Sequence, residues 1–157
     1  MDNTTMIRQK LMDSIFEVFE RMFYIFLEPA DKEGEMLHWR VSINFYGVFT
    51  GKLMAYFSQS LAKVMVRNML SISQDTMDDN IVGDCLKEAV NMICGNFLHK
   101  IDPAVVFDLS LPALDMGDSL ERPVSFSPPP AAIQLNFSAD KGEWLTLLMA
   151  TQEREVN

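Results

Sequence analysis

Glu88 and Asn91 are the residues of this 157-residue chain best placed to do chemistry together. Side chains three residues apart on a helix are surface neighbours. A carboxylate that anchors a cation would therefore stand beside a carboxamide whose oxygen accepts a hydrogen bond while its nitrogen donates one. Such a pair can dock one charged group and hold a water next to it. At about 100° per residue, Asp84, Glu88, Asn91 and Gly95 fall on one line of a helix predicted over roughly residues 78 to 100. Val82, Leu86, Ala89, Val90, Ile93 and Phe97 fall on the opposite side as a core stripe. Glycine in a helix interior costs roughly 1 kcal/mol against alanine, so Gly95 in the polar row points to close approach by another molecule. By spacing alone, the row also fits an ordinary solvated helix face.

No other constellation competes with it. The sequence has no Gly-rich phosphate loop, no Gly-x-Ser-x-Gly elbow and no His-Glu-x-x-His. Cys85 and Cys94 lie nine residues apart on the same predicted helix, too far to bridge each other, and are expected to be free thiols in a reducing cytoplasm. Neither has metal-ligand spacing with His38 or His99, so no metal site is expected. A formal charge of −9 argues against a nucleic-acid or anionic-membrane surface. With no basic leader and no long apolar run, the chain reads as soluble, cytoplasmic and not secreted. Its length, with 48% hydrophobic residues, fits one domain over 1–157 with a frayed tail from about residue 151.

The elements that would carry the row follow from hydrophobic period. A first helix is predicted from about Thr5 to Leu27, with Leu11, Ile15, Val18, Met22 and Phe26 as its stripe, widened by Phe16, Phe19 and Phe23 and closed by Pro29. Leu37 to Phe45 and Lys52 to Phe57 alternate as strands around a turn with Gly47 and Gly51. Ser58 or Ser60 is expected to cap the next helix, and Asp75, Asp78 or Asp79 the central one. After Pro103, Val105 to Leu109 reads as a strand, Leu111 to Pro123 as a long loop and Val124 to Phe126 as an edge strand. Ile133 to Phe137 and Trp144 to Ala150 read as a second hairpin. The order implies an α+β fold of two layers, about three helices packed on a largely antiparallel sheet. Asp13, Glu17 and Glu20 repeat the spacing of Asp84, Glu88 and Asn91, which fits a degenerate helix-plus-hairpin repeat. Its first copy, with Glu20 in place of an amide, should be inactive. Asn96, at the border of the apolar side, reads as a structural hydrogen-bonding residue.

Asp84-x-x-x-Glu88-x-x-Asn91-Met92-Ile93-x-Gly95-Asn96 resembles the signature of the CheC/CheX/FliY response-regulator phosphatases, and most of all that of CheX, which carries one Glu-x-x-Asn motif. The Phe-rich first helix, Phe45-x-Gly47-x-x-x-Gly51, Phe57-Ser58 before a helix with Ala62, and Leu109-Ser110-x-Pro112 extend the resemblance over about residues 5 to 150. It implies a phosphatase that acts on the phospho-aspartate of a CheY-type receiver domain. Glu88 would anchor the receiver's lysine, Asn91 would orient the attacking water, and Asp84 and Gly95 would belong to the docking surface. The receiver would supply the Mg²⁺, leaving this chain with no cofactor. The family also implies a homodimer formed by strand pairing. The alternative is a module that binds a receiver or a flagellar-switch component without turnover.

Overall fold

The computed structural model describes residues 3–72, 77–117, 120, 132–140 and 142–153. The chain begins with α1 (Asn3–Phe23), followed by β1 (Glu28–Pro29), β2 (Leu37–Tyr46), β3 (Phe49–Ser58) and α2 (Gln59–Leu70). Then come α3 (Asp79–Ile101), β4 (Asp108–Leu109), β5 (Ala113–Met116), β6 (Ile133–Ala139) and β7 (Glu143–Glu153). Among the described residues, seven strands form one sheet in the order β1-β6-β7-β3-β2-β4, with β5 also paired to β2. Every pairing is antiparallel. This is the expected two-layer α+β arrangement of three helices on an antiparallel sheet.

Alternation sets the faces of the sheet. Trp39, Val41, Ile43 and Phe45 of β2 and Leu53, Ala55 and Phe57 of β3 point into the core, where they meet Leu11, Ile15 and Phe19 of α1, Leu61 and Met65 of α2 and the apolar side of α3. Register is reinforced by close packing. Phe45 lies opposite Gly51, and its ring, with the Ala150 carbonyl, fills the space where a Cβ at Gly51 would stand. The other face carries a smaller cluster of Met54, Tyr56 and Leu148, with Leu37 against it. β3 and β7 are paired on both sides, and the open edges among the described strands are the outer sides of β4 and β5 at one end and, at the other, of β1 and the part of β6 that β1 does not cover.

Several boundaries differ from expectation. Where a frayed tail was expected from about residue 151, β7 continues through Thr151, Gln152 and Glu153, paired with Gly51, Thr50 and Phe49 of β3. The first helix ends at Phe23 rather than Leu27, because Tyr24 turns left-handed with φ 54° and the Ile25 amide closes back on the Phe19 carbonyl at 3.0 Å. Phe26 therefore leaves the stripe and is exposed. The strand expected over Val105 to Leu109 shortens to Asp108–Leu109. The loop expected after Leu111 contains β5, which pairs with β2 through Met116 opposite Trp39 and Ala113 opposite Ser42. Asp75 and the edge strand expected over Val124 to Phe126 lie outside the described residues.

Candidate functional site

α3 is held along its length. Asp78 caps its start, its carboxylate accepting from the Ile81 amide at 2.8 Å, and Asp79 adds negative charge where the helix dipole favours it. At the other end the Lys10 ammonium donates to the Lys100 carbonyl at 2.6 Å, placing a cation at the negative end. Val82, Leu86, Ala89, Val90, Ile93 and Phe97 are all buried, as their period requires. The helix sits close to the sheet at Gly83, where a Cβ would come within 2.6 Å of the Leu114 side chain on β5.

The opposite face carries the polar row. Asp84 and Glu88 are exposed, and Asn91 and Gly95 are half-buried. The structure thus brings all four predicted site residues onto one side of one helix. Asp84 stands 3.9 Å from Lys87, a contact between largely solvated groups that contributes little. The side chains of Glu88 and Asn91 make no hydrogen bond or ion pair with any described residue, which leaves the carboxylate and the carboxamide to an outside group. Gly95 contrasts with Gly83, since nothing lies within 4 Å of the place its Cβ would take. Packing within the chain explains one glycine of α3 and not the other.

Asn96, one residue past the row, does structural work. Its amide donates to Glu17 at 2.8 Å, and the Lys100 ammonium donates to the second oxygen of the same carboxylate at 2.8 Å. Glu17 thereby ties α1 to α3, a role not expected from the sequence, where it falls in the inactive first copy of the repeat. Nothing local signals it, because its partners are 79 and 83 residues away. The Asn96 bond, and then the Lys100 bond, holds the Glu17 carboxyl below its ordinary pKa. A group with a depressed folded-state pKa stabilises fully above its unfolded value and loses that contribution as pH falls through the folded value. Glu17→Gln is accordingly expected to cost about 1 kcal/mol at pH 7, discounted because Glu17 is a third exposed. Thermal unfolding of both proteins against pH checks this: the gap should close below the ordinary carboxylate range.

Burial pushes the thiols of Cys85 and Cys94 up to about 11 and about 12, which leaves them un-ionised and poor nucleophiles at neutral pH. Among the described residues, no group of three or more His, Cys, Asp or Glu side chains converges as a metal site would need. Clefts lined by described residues open beside the tip of the β2–β3 hairpin, around Arg40 and Asp115, and between Lys10 and Lys100, away from the row.

The family model "Chemotaxis phosphatase CheX" matches residues 40–134, more than half of the chain, and the chain belongs to that family. No curated protein matches the sequence. Among solved structures, the chemotaxis protein CheX from Vibrio vulnificus superposes with a TM-score of 0.77 at 18% identity, covering 97% of this chain and 100% of that one. A CheX-CheY-BeF3-Mg²⁺ complex from Borrelia burgdorferi gives 0.73 at 22% identity, covering 92% and 97%. FliY from Thermotoga maritima gives 0.61 at 13% identity, covering 92% and 88%. At these identities the structural likeness speaks for the fold. No helix among the described residues is long and apolar enough to cross a membrane.

Proposed function

We propose that this protein dephosphorylates the phospho-aspartate of a CheY-type receiver domain, with Glu88 anchoring the receiver's lysine and Asn91 orienting the water that attacks phosphorus. The observation that carries the reading is the pair itself: a carboxylate and a carboxamide free of internal partners, side by side on the outward face of a helix held at both ends. Membership in the CheX family, and a related structure that contains CheY with BeF3 and Mg²⁺, support it. In phosphoryl transfer a protein acts mainly by positioning and electrostatics, and one water held in line needs no more than the two groups of the row. The receiver brings the phosphoryl group and its Mg²⁺, so this chain contributes no cofactor. Asp84 and Gly95 complete the docking surface, and the homodimer implied by the family would pair through the open edges of β4 and β5 or of β1.

The lifetime of a phosphorylated receiver with and without this protein tests the reading. A shortened lifetime is expected. Equal lifetimes would remove the enzyme, and stoichiometric capture without phosphate release would leave a binding module.

Gly95 offers a separate check. Because nothing surrounds its missing Cβ, Gly95→Ala should raise stability by up to about 1 kcal/mol, roughly 2–4 °C in melting temperature. Gly95→Phe should fold equally well yet fail to shorten the receiver's phosphorylated lifetime, since its ring would stand where the partner approaches. Retained activity in Gly95→Phe would show that the row needs no clearance there.

A further inference from the structure

The face of the sheet turned away from the helices divides into two halves. Alternation places Arg40, Ser42 and Asn44 of β2 on it. Across from them on β3, Tyr56 faces Arg40, Met54 faces Ser42 and Lys52 faces Asn44. On the half built by β6 and β7 the polar side chains satisfy one another. Gln134 donates to Asn136 at 3.3 Å, Thr146 donates to Asn136 at 2.9 Å, and the Gly34 amide donates to the Thr146 hydroxyl at 2.9 Å. On the half built by β2, β3 and β5 they do not.

A cleft of about 340 Å³ opens on that second half, with Arg40, Ser42, Asn44, Lys52 and Asp115 in its wall. The side chains of Ser42, Asn44 and Lys52 make no hydrogen bond or ion pair with any described residue. Arg40 donates to Asp115 at 2.7 Å, yet its Nε is buried without an acceptor, the one such side-chain atom among the described residues. A buried donor left unpaired is destabilising, so this guanidinium is short of acceptors. Two cations meet one carboxylate here, on a chain whose formal charge is −9. A hydroxyl, an amide, an ammonium and a guanidinium around one space form a donor set for an oxyanion. The volume lies at the low end for small-molecule pockets, which sizes the occupant to a small acid rather than a chain segment.

We propose that this cleft binds a small oxyanion, the carboxylate or phosphate group of a low-molecular-weight acid, held between Lys52 and Arg40 with Ser42 and Asn44 as neutral donors. It lies on the side of β2 opposite the one that packs under the helices, and so is separate from the row of Glu88 and Asn91. The site stands or falls independently of the receiver reading.

The test follows the backbone amide resonances of the isotope-labelled full chain as inorganic phosphate, succinate or, at matched ionic strength, sodium chloride is added. Saturable shifts centred on β2, β3 and β5 are expected with phosphate or succinate and not with chloride. A response to one of the two acids alone assigns the site to that class of oxyanion. Lys52→Gln should weaken the binding about tenfold, and Lys52→Arg, which keeps the charge, should retain it. Because Lys52 is exposed and unpaired, Lys52→Gln should melt with the wild type, so that its loss reads binding and not folding. No saturation with either acid, the same shifts with chloride, shifts centred on α3, or wild-type affinity in Lys52→Gln would each overturn the proposal.

Discussion

Asn91→Ala is expected to return the decay of phosphorylated receiver to the rate of receiver alone. A water held in line by one carboxamide is worth ~3 kcal/mol, about a hundredfold in rate, and no second described residue on the row duplicates an amide at that place. The loss should appear in kcat while the affinity for a receiver carrying a phosphoryl mimic is kept, because Glu88 and the rest of the docking surface remain. Asn91→Asp should be as inactive as Asn91→Ala. It removes the donor and sets a second negative charge against the phosphoryl group, the same objection that applies to Glu20 in the first helix. Neither change should unfold the protein, since Asn91 has no internal partner and alanine is the better helix former. Single-turnover decay of labelled phospho-receiver measures this, and wild-type rates in Asn91→Ala would move the catalytic role elsewhere.

The largest effect on stability is expected at Trp39. Its side chain is fully buried at the base of β2, with its ring edge-on to His38 at 5.3 Å and its indole N–H donating to the Gln59 side chain at the start of α2. It thus joins the sheet to the helical layer. Trp39→Ala should cost roughly 3–5 kcal/mol, from lost apolar burial and the cavity left behind, a large part of the 5–15 kcal/mol that holds a typical domain together. The melting temperature should fall by about 10 °C or more. Trp39→Phe keeps most of the volume and loses the hydrogen bond, so denaturant titration of the pair separates packing from the Gln59 contact. A fall of only a few degrees in Trp39→Ala would mean that the site collapses around the smaller residue.

What the sequence made legible follows from the range of the forces involved. α3 was readable almost to the residue, because a buried helix writes its period of 3.6 into its own stretch, and Asp78 at its cap is local too. The same holds for the alternating strands β2, β6 and β7. Phe26 was misplaced because the stop after Phe23 is made by a tyrosine in a conformation that glycine normally signals, and Pro29 was the nearest visible punctuation. β5 was missed because Ala113-Leu114-Asp115-Met116 is mostly exposed and owes its strand form to β2, where Asp115 meets Arg40 across 75 residues at 2.7 Å. The candidate row was legible as residue types and spacing. The tie from Glu17 to Asn96 and Lys100 was not, for it exists only once α1 and α3 lie side by side.

Because Asp78 fastens one end of α3 and Lys10 the other, with Glu17 between them along its flank, the backbone beneath Glu88 and Asn91 has nothing left to order when a partner arrives. The conformational entropy surrendered on this side of an encounter is then confined to a few side chains, about 0.5–1.5 kcal/mol for each that is immobilised. A slow rearrangement in the association kinetics is then not expected to come from α3.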